Sequence, residues 1–326
     1  MRKTDNKTDN QSGARYVHTA TTTKKNLAMK SKLEVNELTK QYGQLTAVSD
    51  LSLQIRNGET LGLLGPNGAG KTTAISMMIG LLNPTSGEVN IDGQSPVLNP
   101  TRRKIGLAPQ SLSLYEELTP NENLKFFGQL YGLGKTHLQK RIEWALDFAG
   151  LQDRRRDRVQ SFSGGMKRRL NLACALVHEP EVVLMDEPTV GVDPQSRNHL
   201  FECIERLQKQ GLTIIYTTHY MQEAQRLCDR VAIMDHGKLL ALDTVDNLIQ
   251  KHGGKSLLLG QLRQPLGSSQ QLPGDLQGMA WRLETEDPLL AISQAANLGV
   301  DFQSLNITQP DLESVFLSLT GRKLRD

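Results

Sequence analysis

The sequence feature that most constrains this chain is a glycine-rich segment placed between an apolar run and a helical pattern. The apolar run covers residues 61–64, and the helical pattern covers residues 74–79. The segment between them reads Gly65-Pro66-Asn67-Gly68-Ala69-Gly70-Lys71-Thr72-Thr73. A strand, a turn of the form G-x-x-x-x-G-K-[ST] and a helix, in this order, predict a phosphate-binding loop.

The residue types of this loop suit a bound phosphate chain. Its glycines allow a tight turn in which successive backbone N–H groups point inward, and the N-terminal end of the next helix favours an anion. We expect the Lys71 ammonium to reach the β- and γ-phosphates and the Thr72 hydroxyl to bind Mg²⁺. A glycine-rich turn with a solvent-facing lysine is the alternative, but the flanking strand and helix favour a nucleoside triphosphate site.

Size and composition narrow the class of protein. The chain has 326 residues, which is enough for one large domain and a smaller one. Charged residues make up 22% of it and its formal net charge is +3, so its composition predicts no nucleic-acid-binding surface. Cys174, Cys203 and Cys228 are scattered without metal-ligand spacing, and we interpret them as buried or incidental thiols in a reducing compartment.

Two features bear on targeting. No apolar run approaches the roughly 18 residues that span a bilayer and no secretory signal peptide is recognisable, so we expect any membrane role to need a separate partner chain. Residues 1–31 are polar and contain a tandem repeat at 3–6 and 7–10. We expect a disordered tail there, with Met29 as an alternative start and a transit peptide as a weaker interpretation.

Apolar patterning predicts a largely parallel α/β core. Four consecutive apolar residues, 182–185, indicate a strand buried on both faces, and this strand ends in Asp186 and Glu187. Ligands bind at the carboxyl edge of such sheets, and adjacent carboxylates there suit Mg²⁺. Alternating strands and helices to about residue 252 predict a doubly wound sheet with a helical insertion at about 111–177.

The helical insertion contains a second candidate anion site. Asn121 has the residue type of a helix N-cap, and a further helix is predicted over 136–148. The segment Ser163-Gly164-Gly165 precedes a helix predicted over 167–176. Its hydroxyl and N–H groups form an anion-binding arrangement, although a plain N-cap would have the same pattern.

Three other residues are ambiguous when each is taken alone. Tyr42, near a turn, has the position of a half-buried packing residue. Gln110 follows Pro109 and is by itself a loop residue. His219 ends a predicted strand, where a histidine is more often structural than catalytic.

Residues 253–326 predict a small C-terminal α+β appendage without a chemical motif. The stretch 260–278 is rich in Gln, Gly, Pro and Ser. Strands are predicted over 279–283 and 300–305, and helices over 287–298 and 311–319.

The order of these motifs resembles the ATP-binding subunits of ATP-binding cassette (ABC) transporters. The resemblance covers about residues 32–250 and rests on Tyr42, the loop 65–73, Gln110, the segment 162–166, Asp186, Glu187, Asp193 and His219. It implies an α/β fold of the P-loop NTPase type, with a mostly parallel sheet, antiparallel N-terminal strands and a helical subdomain. Residues 314–326 resemble the tail of drug-resistance-type (daunorubicin-resistance-like) exporter ATPases.

The resemblance implies that Lys71, Gln110, Glu187 and His219 take part in catalysis. Gln110 would touch Mg²⁺ and the attacking water and would relay the nucleotide state to a membrane partner. Asp186 would hold Mg²⁺ through water. Glu187 would polarise the hydrolytic water as general base, and His219 would contact the γ-phosphate.

The resemblance also implies that each ATP is shared between two copies of the chain. Tyr42 would stack on adenine, while Ser163-Gly164-Gly165 would bind the γ-phosphate of ATP held by the opposite subunit. Asp193 would lie at the dimer interface. Phe162 and Met166 replace the commoner Leu and Gln of this signature, as in many drug-resistance-type exporters, while Ser163 and both glycines are intact. Because Glu187 is also present, both sites of a homodimer are expected to hydrolyse ATP.

The leading hypothesis is the ATPase of a membrane exporter, working with a separate transmembrane permease. It would be peripheral at the cytoplasmic face of the inner membrane. Residues 111–131 would form part of a groove that receives a permease helix. Most of the aromatic residues there are expected to be buried by helix packing, namely Tyr115, Phe126, Phe127 and Tyr131.

Two other functions were weighed against export. An importer ATPase is disfavoured by the tail 311–326 and by the lack of a larger C-terminal regulatory domain. A soluble ABC ATPase acting on ribosomes or DNA is disfavoured by the single cassette, the lack of a heptad run and the weak basic excess. Drugs, lipids and polysaccharides all remain open as substrates, because the permease would form the pathway.

Overall fold

The computed structural model describes residues 31–266 and 272–321. The polar tail predicted at the N-terminus, apart from residue 31, and the alternative start at Met29 therefore lie outside the described residues, as do the last five residues of the predicted exporter-type tail.

The strands follow one another along the whole described chain. In chain order they are β1 (Ser31–Tyr42), β2 (Leu45–Arg56), β3 (Thr60–Leu64), β4 (Ser86–Ile91), β5 (Ile105–Ala108), β6 (Val182–Asp186), β7 (Thr213–Thr218), β8 (Arg230–Asp235), β9 (Lys238–Asp243), β10 (Ser256–Leu262), β11 (Asp275–Gln277), β12 (Ala280–Thr285) and β13 (Phe302–Thr308).

The helices lie between these strands and at the end of the chain. They are α1 (Lys71–Met78), α2 (Asn99–Arg102), α3 (Pro120–Leu130), α4 (Lys135–Ala149), α5 (Gly164–Leu176), α6 (Pro194–Lys209), α7 (Met221–Leu227), α8 (Val245–His252), α9 (Pro288–Asn297) and α10 (Leu312–Thr320), with 3₁₀ turns at Gln152–Arg154 and Val159–Ser161. No helix of the described ranges is long and apolar enough to cross a bilayer.

A six-stranded sheet forms the centre of the molecule. Its strand order is β5-β6-β7-β3-β8-β9, and every neighbouring pair is parallel except β8 and β9. All residues of β3, β6 and β7 are buried, as the continuous apolar runs predict for strands covered on both faces. The carboxyl ends of these three adjacent strands therefore meet at one edge of the sheet.

A second sheet, antiparallel and ordered β2-β1-β4, covers one side of the centre. Leu33, Val35 and Ile55 from this sheet join Leu61 and Leu63 of β3 in one buried cluster, which also includes the apolar face of α1. Apolar Leu33 and Val35 alternate with polar residues along β1, and this pattern produces a strand with one face in the core. The predicted α/β class, with antiparallel N-terminal strands, is confirmed.

The helical insertion between β5 and β6 is formed by α3, α4 and α5. The prediction that Asn121 caps α3 is wrong: Thr119 is the N-cap, and its side chain forms a reciprocal capping box with Glu122. Thr119 wins this position because Pro120 suits the first helical turn and Glu122 stands three residues after the cap. The helix predicted from residue 167 begins earlier, at Gly164, with Ser163 as its cap.

The aromatic residues of this insertion are less buried than expected. Tyr115 and Phe126 are exposed, and Phe127 and Tyr131 are only partly buried, so the expectation that most of them are buried is wrong. Tyr115 and Phe126 pack edge to face with ring centroids 4.9 Å apart, and Phe126 and Phe127 do the same at 5.3 Å. Tyr115 and Phe126 thus contact one another on the surface, whereas Phe127 also packs against the buried core.

The C-terminal part contains a four-stranded antiparallel sheet ordered β11-β12-β10-β13. Both strands and both helices predicted there are present with shifted ends. The strands β10 and β11 were not predicted, because β11 and the later residues of β10 fall in the stretch rich in Gln, Gly, Pro and Ser. The last helix, α10, returns to the central sheet: Val315 and Phe316 join Leu64 and Met221 in one buried cluster. A domain boundary near residue 252 stays a prediction, and α10 packs across it.

Candidate nucleotide-binding site

The glycine-rich loop joins β3 to α1 at the carboxyl edge of the central sheet. A side chain at Gly65 would collide with the Met234 carbonyl of β8, and one at Gly70 would collide with the Ala47 carbonyl. Gly70 also has φ of 98°, a left-handed conformation that favours glycine. The two glycines let the loop pass close to neighbouring backbone and turn into the N-terminus of α1.

Lys71 is buried and directed into this loop. Its Nζ donates to the carbonyl oxygens of Gly65 at 2.8 Å and Pro66 at 3.2 Å, and it lies 3.1 Å from Glu187 Oε1. The ammonium is therefore placed inside the turn whose N–H groups were predicted to surround phosphates.

A hydroxyl from β7 holds the two acidic residues at the end of β6. Thr217 Oγ1 donates to Asp186 Oδ1 at 2.7 Å and accepts from the Glu187 backbone N–H at 2.9 Å. Thr72 Oγ1 donates to the other oxygen of Asp186 at 3.2 Å. Glu187 has φ of 45°, a strained conformation for a residue with a side chain, so this clamp fixes a backbone that would not adopt the turn by itself.

Three side chains converge on the buried carboxylate of Glu187. Gln110 Nε2 donates to its Oε2 at 3.2 Å, while Lys71 Nζ and His219 Nδ1 lie 3.1 and 3.3 Å from its Oε1. The structure thus brings together all four residues that were predicted to act in catalysis. They belong to the segments that follow β3, β5, β6 and β7, and these strands lie side by side in the sheet.

A cleft of about 360 Å³ lies over the loop. Besides most of the loop, its lining includes Gln110 and Glu187. Sequence analysis did not identify the remaining lining residues, which are Leu45, Thr46, Ala47, His236 and Gly237. They belong to two chain segments distant from the loop, and the structure joins them to it through a hydrogen bond from the Gly237 N–H to the Ala69 carbonyl. Nothing in their residue types marks a phosphate site.

Tyr42 ends β1 and pairs with Leu45 of the cleft lining. Its ring is half exposed, and the Lys40 ammonium lies 5.3 Å from the ring centroid. An exposed aromatic face beside the cleft is compatible with base stacking. The adenine contact of Tyr42 stays a prediction.

The signature segment does not reach this cleft. Ser163 caps α5, where its hydroxyl accepts from the Met166 N–H, and the described residues that line the cleft do not include Ser163, Gly164 or Gly165. Asp193 likewise caps α6, and hydrogen bonds from Ser196 hold the pKa of its carboxyl below the ordinary value. Both predicted dimer contacts lie on exposed helix starts outside the pocket.

The residues present fit a Mg²⁺ ion bound with a phosphate chain. Thr72 and Asp186 place a hydroxyl and a carboxylate oxygen 3.2 Å apart next to the loop, and the Gln110 side chain reaches the same carboxylate group as His219. Mg²⁺ prefers oxygen ligands and takes few of them from protein in nucleotide sites, keeping waters and phosphates for the rest.

Arg168 is a further residue that sequence analysis missed. From α5 it donates to the backbone carbonyls of Pro109, Gln110 and Val190. It therefore links the signature helix to the segment of Gln110 and to the segment that follows Glu187. Its place in a charged, helical pattern resembles any surface arginine, so the sequence contains no signal for this role.

The fold and this cluster define a P-loop nucleotide-binding protein, and comparison with known proteins specifies the family. A family model described as ABC transporter matches residues 48–190. The linearmycin resistance ATP-binding protein LnrL of Bacillus subtilis is 40% identical over 313 residues, which cover 90% of this chain and all of that protein. The Nod factor export ATP-binding protein I of Cupriavidus pinatubonensis is 37% identical, with 92% and 94% covered.

Solved structures agree with this assignment. An ATP-binding cassette determined as a dimer in a post-hydrolysis state with ADP and Pi is 26% identical, with a TM-score of 0.59 over 65% of this chain and 98% of that one. The chain therefore belongs to the ATP-binding subunits of ABC transporters, which bind ATP and couple its hydrolysis to transport. Its matched relatives carry export or resistance names, in agreement with the expected exporter class and against the importer alternative.

Proposed function

We propose that this chain is the ATPase of a membrane exporter, acting as an ATP-bound homodimer on a separate permease at the cytoplasmic face of the membrane. The similarity to a linearmycin resistance protein and to Nod factor export proteins supports export as the direction of transport. The convergence of Lys71, Gln110 and His219 on Glu187 is the observation that supports hydrolysis at this site.

In the proposed mechanism Glu187 holds and polarises the attacking water. Lys71 donates to the carbonyl oxygens of Gly65 and Pro66 and pairs with Glu187, and contact of the ammonium with the β- and γ-phosphates would release Glu187 from this ion pair. His219 then contacts both the Glu187 carboxylate and the γ-phosphate and holds them at a fixed separation. Gln110, which contacts the other carboxylate oxygen of Glu187, orients the water. The Thr217 clamp holds Glu187 in place during this exchange.

Thr72, Asp186 and Gln110 would hold Mg²⁺. The ion would neutralise charge on the β- and γ-phosphates as the terminal phosphoryl group leaves. Since Thr217 fixes one oxygen of Asp186, the other oxygen and the Thr72 hydroxyl remain directed towards the loop.

A second copy would complete each site. Ser163 and Gly164 are exposed at a helix start away from the cleft of their own chain, whereas Gly165 is buried beside them. The exposed start of this helix would face the γ-phosphate bound by a partner. Asp193 lies beside them, because Gly165 packs against Ser196 of the helix that Asp193 caps.

The surface aromatic cluster of Tyr115, Phe126 and Phe127 supports a permease contact on the helical insertion. Exposed rings in mutual contact are typical of a surface that receives an apolar partner. Arg168 links α5 of the helical insertion to the Gln110 carbonyl. A movement of the insertion caused by the permease would therefore displace the Gln110 side chain.

Glu187→Gln is the variant that tests the proposal. The amide cannot accept a proton from water, so ATP hydrolysis should fall by about a hundredfold or more. ATP affinity should be retained, and an ATP-bound dimer should accumulate in size-exclusion chromatography. Glu181→Gln is the matched control: Glu181 lies next to the opposite end of β6 and pairs with Lys32 and Lys104, so hydrolysis should stay at the wild-type rate.

Hydrolysis by Glu187→Gln at the wild-type rate would contradict the general-base role. Lys71→Ala provides a separate test of the loop, because removing the ammonium should weaken ATP binding itself. Unchanged ATP affinity of Lys71→Ala would contradict the phosphate-binding assignment, whatever the hydrolysis rate.

A further inference from the structure

Glu223 is a buried carboxylate that the proposed mechanism does not use. It lies in α7, four residues after His219, and its side chain is only 3% exposed. Its Oε2 accepts hydroxyl hydrogen bonds from Thr189 at 3.0 Å, Tyr216 at 2.9 Å and Thr218 at 2.9 Å. Burial beside Glu223 also raises the pKa of Tyr216 well above its ordinary value, so that hydroxyl remains a donor.

This carboxylate connects two segments that flank the catalytic cluster. Thr189 belongs to the segment that follows Glu187 and leads to Asp193, whereas Thr218 precedes His219. Thr218 Oγ1 also accepts from the Tyr220 N–H at 2.9 Å, which fixes the turn that carries His219. Glu223 thus joins the segment that follows Glu187 to the turn that carries His219.

Within the described part of the chain, one oxygen of Glu223 has no hydrogen-bond donor and forms only a long ion pair with Arg197. Glu223 Oε1 and Arg197 Nε lie 3.9 Å apart, and neither atom has a hydrogen-bond partner among the described residues. The Arg197 guanidinium lies 5.2 Å from the centroid of the Tyr220 ring, which is itself 4.1 Å from the His219 ring. Buried donors and acceptors are normally satisfied, and a hydrogen bond between these two opposite charges would satisfy both atoms at once.

Arg197 is placed to sense the dimer interface. It lies in the first turn of α6, and its N–H donates to the backbone carbonyl of Asp193 at 2.9 Å. Asp193 was predicted to lie at the interface between two copies. A shift of about 1 Å at this helix start would bring Arg197 Nε within hydrogen-bond distance of Glu223.

We propose that Arg197 and Glu223 are positioning residues that close into a hydrogen-bonded ion pair when the ATP-bound dimer forms and thereby fix His219 against Glu187. The pair carries the movement of the Asp193 segment to the turn of His219 through Thr218 and Tyr220. This inference rests on the proposed function, because it assumes that His219 and Glu187 act in hydrolysis within a dimer.

The first test is Arg197→Met in the full chain. Methionine keeps much of the apolar stem and removes the charge, and Arg197 is one-third exposed, so the variant should fold. Since a misplacement of about 1 Å in an active site can lower rates by about a hundredfold, kcat should fall by about ten- to a hundredfold. ATP affinity should be unchanged, because Arg197 does not line the nucleotide cleft. Arg197→Lys, which keeps the charge, should recover part of the rate.

Arg226→Met is the matched control. Arg226 of α7 pairs with Glu205 of α6 at 2.9 Å and lies over the Phe201 ring at 4.8 Å, so it joins the same two helices by the same kinds of contact. It is exposed and does not touch the turn of His219. The control should lower neither kcat nor ATP affinity, which separates loosening of the helix pair from loss of the Arg197–Glu223 contact.

A double-mutant cycle with Glu223→Gln tests whether the two residues act on one another. If their contact is what matters, Arg197→Met combined with Glu223→Gln should be no slower than the slower single variant. The inference would be overturned if the rate loss of the double variant equals the product of the losses of the two single variants. A wild-type kcat in Arg197→Met would also overturn it. Glu187→Gln, assayed alongside, keeps the outcomes separate: if it is inactive while Arg197→Met is fully active, the proposed function stands and only this inference fails.

Discussion

At the scale of single residues, the site depends on side chains that never need to touch the nucleotide. The Thr217 hydroxyl joins Asp186 to the backbone of Glu187, and it does so at a residue whose φ of 45° is unfavourable for glutamate. A hydroxyl serves here because it donates to one group and accepts from the other at the same time. A neighbouring strand thus fixes the Asp186 carboxylate and the backbone of Glu187.

Thr217→Val should separate this role from ordinary packing. Valine has the same shape but leaves the Glu187 N–H unsatisfied, which should cost about 1–3 kcal/mol of unfolding free energy and lower kcat by about tenfold or more. Thr213→Val is the matched control on the same strand, because the Thr213 hydroxyl accepts from the Gly58 N–H far from the cleft. Urea unfolding and ATPase assays should show similar destabilisation in both but reduced kcat only in Thr217→Val.

At the scale of elements, two helix starts are built against each other. The N-terminus of α5 carries the signature glycines, and the N-terminus of α6 is capped by Asp193. A side chain at Gly165 would collide with the Ser196 side chain, whereas one at Gly164 would meet only the Gly191 carbonyl at 3.9 Å. The two glycines therefore serve different purposes. Gly165 allows α5 and α6 to pack close together, whereas Gly164 leaves the outer surface of α5 without a side chain at this position.

Substitution of the two glycines should show this difference in stability. Gly165→Ala should lower the unfolding free energy by about 1–3 kcal/mol because the core contact is overpacked. Gly164→Ala should leave it unchanged or raise it by about 0.5–1 kcal/mol, since alanine favours a helix over glycine. Both are measured by urea unfolding. Equal losses in the two variants would contradict the close approach of Gly165 to Ser196.

At the scale of the whole molecule, the C-terminal part is not simply attached behind the ATPase core. After the four-stranded sheet, α10 returns and buries Leu312, Val315 and Phe316 against Met221 and Ala224 of α7. The helix α7 carries Glu223 and follows His219. The end of the chain therefore stabilises an element of the catalytic edge.

Phe316→Ala should destabilise the ATPase core rather than only the C-terminal sheet. Phe316 is 1% exposed, so the variant should lose about 3–5 kcal/mol of unfolding free energy. Urea unfolding with and without ATP measures this loss, because ATP stabilises only the core that binds it. Leu317→Ala, at a neighbouring position that is 39% exposed, should lose less than about 1 kcal/mol. Retention of the full unfolding free energy by Phe316→Ala would show that α10 contributes little to the core.

Local chemistry explains why much of the site could be predicted. The turn at Gly70, with its left-handed φ, depends on interactions within a few residues. The strand β6 likewise follows from the four apolar residues before Asp186. Parallel strands bring their carboxyl ends to one edge, so Lys71, Glu187 and His219 could be expected at that edge. The error at Asn121 was also local, since Thr119 with Glu122 forms a better cap within the same turn.

By itself, the sequence determined that a phosphate-binding loop, a pair of carboxylates and a histidine exist at the ends of particular strands. Only the tertiary structure decided which distant groups hold them, namely Thr217, Arg168 and Glu223. The reason is physical: a hydrogen bond needs its atoms about 3 Å apart, and that depends on the strand order β6-β7-β3 and on helix packing. Residue types that are common on any surface acquire a role only through that geometry.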